Sequence, residues 1–152
     1  MQKIFIFGAG SIGNHLTNAS LKAGFEVFIT DKSDKALARM KSELFKRRYG
    51  YWSNNINLIK IRDLKKILDV KFEIVIIGTP PRTHLELFNF CKKNLKYKKI
   101  LIEKPLCVYN QKTNNILSKE YIFCGYNHSV SASINYLFNI LIKNKINIYS
   151  PL

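Results

Sequence analysis

The sequence predicts an α/β fold, a doubly wound and mostly parallel sheet with helices on both faces. Apolar runs of strand length alternate with stretches of helical periodicity, and this alternation is typical of parallel strands joined by helical crossovers. The first apolar run is followed at once by a glycine-rich loop that opens a helical stretch. Both observations favour one sheet whose functional loops gather at the carboxyl ends of the strands.

The elements follow from the apolar periodicity in chain order. Strands are predicted at residues 3–7, 26–30, 56–59, 73–77, 100–103 and 121–126, and helices at residues 11–23, 33–45, 61–68, 82–94 and 129–143. Gly24 closes the first helix, because glycine adopts the left-handed conformation that commonly ends helices. Ser33 or Asp34 caps the second helix. The asparagine-rich stretch 110–115 is predicted as a loop or a short frayed helix.

Size and composition limit the class of protein. The 152 residues, 47% of them hydrophobic, suit one domain with a sizeable core. No apolar run approaches the roughly 20 residues that span a bilayer, and no charged segment leads into a signal-peptide core, so we expect no membrane partner and a cytoplasmic location. Cys91, Cys107 and Cys124 lack the close pairing of zinc or redox motifs. No metal site is therefore predicted, and all three are expected to be small buried apolar residues.

The chain is strongly basic. Its 25 Lys and Arg against 10 Asp and Glu give a formal charge of +15, which favours anionic partners, among them nucleotides and nucleic acid. Because the excess is scattered along the chain, nucleic-acid binding is the less favoured interpretation. The densest cluster, residues 46–52, is interpreted as an exposed loop whose aromatics pack on the domain. Base stacking or covering of a cofactor is the alternative for that cluster.

The loop Gly8-Ala9-Gly10-Ser11-Ile12-Gly13 has the spacing of a dinucleotide-binding motif. The first glycine permits a tight turn, the second lets the backbone approach a pyrophosphate, and the third lets the helix pack on the strand. The phosphates would rest on the free N–H groups at the start of that helix. A purely structural strand-to-helix turn is the alternative, but the order of strand, motif, helix, strand and acid favours a binding site.

Asp31 follows the second apolar run, where its carboxylate would accept hydrogen bonds from an adenosine ribose and repel a 2′-phosphate. NAD is therefore the expected cofactor, and NADP is the less favoured one. Lys32 weakens that preference, because a lysine can meet the phosphate as a point charge. An ordinary turn acid before a helix is the alternative interpretation of Asp31.

The residues after the fourth and fifth strands are candidates for the reacting end of the site. Thr79 and Pro80 lie in a rigid turn, and His84 follows in the first turn of the next helix, where a structural role is more common than a catalytic one. Glu103 and Lys104 put a carboxylate and an ammonium side by side. Lys104 could hydrogen-bond a substrate hydroxyl, and an ordinary surface lysine is the alternative.

Four segments resemble the Gfo/Idh/MocA oxidoreductases, a family that includes glucose-fructose oxidoreductase and inositol dehydrogenase. They are Gly8-Ala9-Gly10-Ser11-Ile12-Gly13, Ile77-Gly78-Thr79-Pro80-Pro81-Arg82-Thr83-His84, Glu103-Lys104-Pro105-Leu106 and Gly125-Tyr126-Asn127-His128. Their order and spacing extend from the first strand to about residue 128. The chain is thus similar to the N-terminal NAD-binding Rossmann domain of that family.

The resemblance implies reversible hydride transfer between a nicotinamide cofactor and a hydroxyl-bearing carbon of a sugar, a cyclitol or a nucleotide-linked sugar. It implies that Lys104 is catalytic and holds or polarises the reacting oxygen. The cofactor-binding residues that the resemblance and the motif together imply are Gly8, Gly10, Ser11, Ile12, Gly13, Asp31, Lys32, Thr79, Pro80, His84, Glu103, Lys104 and Asn127. Ser129 stands where the family often has an arginine, so no contact of that arginine is carried over.

The resemblance also implies a second, α+β substrate domain, which is absent from this chain. Residues 1–128 would form the dinucleotide-binding domain, and residues 129–152 an exit helix and connector towards the absent domain. We therefore expect a truncated chain, a degradation product or a piece of an interrupted gene that binds cofactor with little turnover. Apolar positions 134, 137, 138 and 141 would pack on the sheet or form a patch that allows a homo-oligomer. A non-catalytic NAD(H)-sensing module is the alternative function.

Overall fold

The computed structural model describes residues 1–109 and 121–125, and the single positions 132, 136, 139 and 140. These residues form a six-stranded sheet in the order β3-β2-β1-β4-β5-β6, and every neighbouring pair is parallel. The strands are β1 (Lys3–Phe7), β2 (Glu26–Asp31), β3 (Ile56–Lys60), β4 (Lys71–Ile77), β5 (Lys96–Ile102) and β6 (Ile122–Cys124). The predicted doubly wound α/β fold is confirmed.

Helical segments connect the strands. They are α1 (Ser11–Lys22), α2 (Asp34–Arg39), α3 (Phe45–Tyr49) and α4 (His84–Asn94), with a π-helical turn at Met40–Leu44 and 3₁₀ turns at Ile61–Ile67 and Pro81–Thr83. Gly24 follows α1 with φ of +82°, and the Ser33 Oγ accepts a hydrogen bond from the Ala36 N–H at the start of α2. Both predicted helix boundaries are confirmed.

The second predicted helix extends beyond its expected end at residue 45. It continues to Tyr49, and its middle turn is π-helical. Met40 and Phe45 are both fully buried, and a spacing of five residues would point them in different directions on a regular α-helix. The wider π turn returns Phe45 to the core face.

The third predicted helix is a 3₁₀ segment, Ile61–Ile67. Leu64 and Ile67 both pack into the core, and a spacing of three residues aligns side chains in a 3₁₀ helix. Two strands also begin earlier than their apolar runs, β4 at Lys71 and β5 at Lys96. The first half of β5 contains three lysines, so a search for apolar runs does not detect it. The first of them, Lys96, forms an ion pair in which its Nζ lies 2.7 Å from the Asp69 carboxylate.

Side chains of β1 alternate between two buried layers. Ile4 and Ile6 point into the layer that holds Met40 and Phe45, whereas Phe5 and Phe7 point into the layer covered by α4. Strand β1 is therefore buried on both faces, as expected for a central parallel strand. In the described part of the chain, no helix combines the length and apolar character needed to cross a membrane.

Two expectations for individual segments need correction. Cys91 is buried as expected, but Cys107 and Cys124 are only half-buried. The cluster 46–52 is not a loop throughout, because residues 46–49 belong to α3. Its aromatics do pack on the domain, since the rings of Tyr49, Tyr51 and Trp52 lie 4.8, 5.7 and 5.6 Å from the Phe45 ring.

Several predictions fall wholly or partly outside the described residues. Of the predicted exit helix 129–143, Ala132, Tyr136, Asn139 and Ile140 are described, and all are helical. The remainder of that helix lies outside the described residues, with the apolar positions 134, 137, 138 and 141. So do the stretch 110–115 and the pair Asn127 and His128.

Candidate cofactor site

The candidate site lies at the carboxyl edge of the sheet, where the strand order reverses between β1 and β4. Residues just past the strands extend the ladder there. The backbone hydrogen bonds run from the N–H of Gly8 to the Thr30 oxygen (2.7 Å), Gly78 to Phe7 (2.9 Å), Glu103 to Ile77 (2.9 Å) and Gly125 to Ile102 (2.8 Å). The segments that follow β1, β4, β5 and β6 therefore lie side by side.

The structure gives a different steric reason for the absence of a side chain at each glycine of the loop. Gly8 has φ of +103°, and a Cβ there would lie 2.8 Å from the Gly78 carbonyl oxygen. A Cβ on Gly13 would overlap the Gly8 carbonyl oxygen, so the third glycine permits the close approach of α1 to the loop. Around Gly10 a Cβ would meet nothing within 4 Å. The space above Gly10 is therefore open, as the approach of a pyrophosphate requires.

The first turn of α1 presents unsatisfied donors to that open space. Within the described residues, the backbone N–H groups of Ser11, Ile12 and Gly13 have no hydrogen-bond partner. Gly10 offers no side-chain cap, and the first turn carries no acidic residue. Ser11 and Ile12 are exposed. Unpaired N–H groups and the helix dipole together suit a bound anion.

Asp31 ties the end of β2 to the glycine loop. Its Oδ2 accepts a hydrogen bond from the Ala9 N–H at 2.8 Å, and its Oδ1 accepts one from the Ser33 N–H at 2.9 Å. Each carboxylate oxygen has two lone pairs, so both oxygens retain capacity for a further donor. Lys32 next to it is exposed.

Asn14 is a buried support that the sequence analysis missed. Its Nδ2 donates to the carbonyl oxygens of Ala9 and Gly10, at 3.0 and 2.8 Å. Asn14 is fully buried, and Thr17 and Asn18 continue the buried polar face of α1. An amide directly after the third glycine, on the helix face turned towards the sheet, was the available signal.

The turn after β4 is braced by two threonines. The Thr83 Oγ1 donates to the Pro80 carbonyl oxygen at 2.8 Å, and it lies 2.7 Å from the Thr79 Oγ1. Because the single hydroxyl proton of Thr83 goes to Pro80, Thr79 is the donor in the second bond. The Thr79 oxygen keeps its lone pairs for a ligand donor.

His84 joins two turns of the site. The ring is fully buried, with Nε2 2.7 Å from the Thr79 carbonyl oxygen and Nδ1 3.0 and 3.3 Å from the carbonyl oxygens of Pro105 and Leu106. The imidazole therefore supports both turns from within the protein. This geometry corresponds to the structural role considered for His84, and its direct contact with a cofactor stays a prediction.

Glu103 and Lys104 follow β5, and the peptide bond between Lys104 and Pro105 is cis. The Glu103 carboxylate faces Gly125, where a Cβ would lie 3.1 Å from its Oε1. Lys104 is exposed, and within the described residues it has no ion-pair partner. Burial raises the pKa of the Cys124 thiol, and the nearby Glu103 carboxylate contributes to that rise.

Comparison with protein families identifies the domain. The family model for the Gfo/Idh/MocA oxidoreductases, described as an NAD-binding Rossmann fold, matches residues 2–120. The chain belongs to this family. The Gfo/Idh/MocA assignment is carried by the family model, since a search of the curated proteins found no match.

Solved structures share the fold of this Gfo/Idh/MocA domain. An NAD-binding oxidoreductase from Klebsiella pneumoniae has a TM-score of 0.65 and 15% identity over 96% of this chain and 40% of its own. Myo-inositol 2-dehydrogenase from Lactobacillus plantarum has a TM-score of 0.63 and 17% identity over 96% of this chain and 42% of its own. RSP, a Rex-family repressor, has a TM-score of 0.53 and 16% identity over 95% of this chain and 62% of its own. The chain thus spans about two fifths of the two oxidoreductases.

Most of the predicted site residues of this Gfo/Idh/MocA domain lie along one edge of the sheet. The loop residues 8–13, the turn at Thr79 and the pair Glu103 and Lys104 follow strand ends, and Asp31 is the last residue of β2. Asn127 lies outside the described residues. No group of three or more His, Cys, Asp or Glu side chains in the described part could hold a metal ion.

Arg48 is a further residue at this edge that the sequence analysis did not single out. Its guanidinium contacts Ser11 at the start of α1. The basic cluster 46–52 was the signal, but only the fold brings α3 of this Gfo/Idh/MocA domain against α1. Burial raises the pKa of the neighbouring Tyr49 phenol, and the Arg48 charge partly opposes that rise.

Proposed function

We propose that this chain is the NAD-binding domain of an oxidoreductase that transfers a hydride between a nicotinamide cofactor and a hydroxyl-bearing carbon of a sugar, cyclitol or nucleotide-linked sugar. The observation that carries the proposal is the set of unpartnered N–H groups of Ser11, Ile12 and Gly13 beneath the open space at Gly10. They fit a pyrophosphate in position and in charge. Residues 1–128 form the proposed dinucleotide-binding domain.

NAD is the proposed cofactor, in preference to NADP. The Asp31 carboxylate accepts hydrogen bonds from Ala9 and Ser33, so its position is fixed next to the glycine loop. The lone pairs that remain would accept the adenosine ribose hydroxyls, and the negative charge would repel a 2′-phosphate. Lys32 is exposed and would offset that repulsion only in part.

Lys104 is the proposed catalytic residue. A bound nicotinamide would donate or accept the hydride, and an ammonium group beside it would hold the reacting oxygen of the substrate. Lys104 is exposed at the turn that His84 supports, so its ammonium is accessible to a substrate. Thr79 and Pro80 would line the same cleft.

The proposed activity of this chain by itself is cofactor binding with little turnover. Hydride transfer needs a water-poor site and a base within reach of the hydroxyl proton, and exposed Lys104 alone does not exclude water. Both a repressor and a dehydrogenase share this fold, so the fold alone does not distinguish a sensor domain from an enzyme domain. Lys104 favours the enzyme domain.

The test is a binding and turnover assay of the full chain. NADH fluorescence is followed at moderate salt, with and without excess single-stranded polynucleotide, and NAD⁺ reduction is then followed with a panel of sugars and cyclitols. We expect NADH binding that polynucleotide does not displace, and no measurable reduction. Displacement by polynucleotide would favour the nucleic-acid interpretation. Oxidation of a sugar would overturn the expectation of little turnover.

A further inference from the structure

Arg48 of α3 reaches the first turn of α1. Its Nη1 donates to the Ser11 carbonyl oxygen at 3.1 Å, and its Nη2 donates to the Ser11 Oγ at 3.0 Å. Ser11 is the first residue of α1, and its own N–H is among the unpartnered groups. The guanidinium therefore lies at the same helix terminus as the open space above Gly10.

The N-terminus of α1 carries a partial positive charge, which disfavours a nearby cation unless an anion lies between them, although Arg48 itself stands in the last turn of α3, where the dipole of its own helix favours it. The first turn of α1 contains no acid to offset it. Among the described residues, Arg48 forms no ion pair. The adjacent Arg47 differs, since its Nη1 lies 3.0 Å from the Glu43 carboxylate. Of these two neighbouring arginines of α3, only Arg47 has a carboxylate partner among the described residues.

We propose that Arg48 is a ligand of the cofactor pyrophosphate, held in position by Ser11. This inference rests on the proposed function and adds a phosphate-binding side chain to it. An anion above α1 would satisfy the helix N–H groups and the guanidinium together. Arginine carries five N–H donors and Ser11 engages two of its nitrogens, so donors remain for a phosphate oxygen.

The pyrophosphate is the phosphate that this geometry favours. Ser11 directly follows Gly10, the point of the loop that a pyrophosphate approaches. A 2′-phosphate on the adenosine ribose would instead lie towards Asp31, at the end of β2. Because both dinucleotides contain the pyrophosphate, the contact would be common to NADH and NADPH.

The test compares Arg48→Met with the matched control Arg47→Met, which removes the same charge one residue away on the same helix. Both side chains are exposed, so both variants are expected to fold, and thermal unfolding monitors this. We expect Arg48→Met to weaken NADH and NADPH binding by the same factor, about tenfold. Arg47→Met is expected to change either affinity by less than about twofold. Arg48→Lys, which keeps the charge but loses the planar fork, should lie between them.

Each other outcome contradicts the inference in a distinguishable way. A loss confined to NADPH would assign Arg48 to the 2′-phosphate. An equal loss in both arginine variants would indicate general surface charge. An unchanged affinity of Arg48→Met, with NADH still bound by the unsubstituted chain, would refute the role of Arg48 and leave the proposed function standing. Absence of NADH binding by the unsubstituted chain would overturn both.

Discussion

The Oδ2 of Asp31 accepts a hydrogen bond from the backbone N–H of Ala9 over 2.8 Å. The acid that ends β2 therefore holds the loop that follows β1. Because Ser33 donates to the other oxygen, the carboxylate is fixed from both sides. The same side chain that shapes the glycine loop is thus the one proposed to choose the cofactor.

Substituting Asp31 with asparagine is expected to lower both stability and cofactor selectivity. An amide presents one acceptor oxygen, so the N–H of Ala9 or of Ser33 loses its partner, at a cost of about 1–3 kcal/mol in the free energy of unfolding. NADH binding should weaken, and the ratio of NADPH to NADH affinity should rise because the repelling charge is gone. Urea unfolding and calorimetric titration measure these effects.

Asp34→Asn is the control for Asp31→Asn. Asp34 forms an exposed ion pair with Lys60 over 3.5 Å, so its loss should change stability by less than about 1 kcal/mol and leave the NADPH to NADH ratio unaltered. An Asp31→Asn variant that behaved like Asp34→Asn would contradict the role assigned to Asp31.

Two glycine substitutions should separate binding from stability. A Cβ on Gly10 meets no atom within 4 Å, so Gly10→Ala should fold with a thermal midpoint close to the original, yet weaken NADH binding by at least about tenfold. A Cβ on Gly13 overlaps the Gly8 carbonyl oxygen, so Gly13→Ala should lower stability by about 1–3 kcal/mol. Thermal unfolding and NADH titration of both variants would show whether the effects divide in this way. Equal stability loss in the two variants would be inconsistent with the loop geometry.

Replacing His84 with phenylalanine is expected to destabilise the domain. An aromatic ring is kept, but the carbonyl oxygens of Thr79 and Pro105 lose the buried ring nitrogens that face them, at a cost of about 1–3 kcal/mol. His15→Phe is the matched control, because His15 is exposed and its Nδ1 lies 2.6 Å from the Tyr49 hydroxyl at the protein surface. Denaturant unfolding should show a clearly larger loss for His84→Phe. Equal losses would argue against the bracing role.

Stability should fall in alkaline solution. Burial raises the pKa of the Cys91 thiol from 9.0 to about 12 and that of the Tyr97 phenol from 10.0 to about 12. As the pH rises, the unfolded chain therefore loses these two protons before the folded chain does. The stabilising contribution of the two protonated groups to the free energy of unfolding is complete below about pH 9 and declines as the pH rises towards 12. Urea unfolding at intervals from pH 8 to pH 11 should show the decline, and Cys91→Ala should reduce its slope. Cys107→Ala is the control, because the Cys107 thiol is only half-buried. If Cys107→Ala changed the slope of stability against pH as much as Cys91→Ala does, the assignment of the decline to Cys91 would be contradicted.

The α/β fold class and the approximate positions of the strands were predictable because both depend on local patterns. Parallel strands buried on both faces are apolar runs, and residues after such runs share an edge of the sheet. The pattern failed where charge or uncommon helix geometry intervened. The first half of β5 is rich in lysine and therefore lacks an apolar run. The π turn at Met40–Leu44 brings both Met40 and Phe45 into the core, and this depends on tertiary packing that the local sequence does not specify.

The supporting side chains were not predictable in the same way. Asn14 donates to carbonyl oxygens of the adjacent glycine loop, and His84 faces the carbonyl oxygen of Pro105 in a turn 21 residues away. Arg48 reaches Ser11 only because α3 packs beside α1. A lone polar residue in a helix gives no indication of which carbonyl it will meet. Such contacts require the fold.

The most direct measurement is calorimetric titration of the full chain with NADH and, separately, with NADPH at moderate salt. We expect micromolar binding of NADH that is at least about tenfold tighter than that of NADPH, because the glycine loop would hold the pyrophosphate and Asp31 would disfavour a 2′-phosphate. Binding of neither dinucleotide, or tighter binding of NADPH, would contradict it.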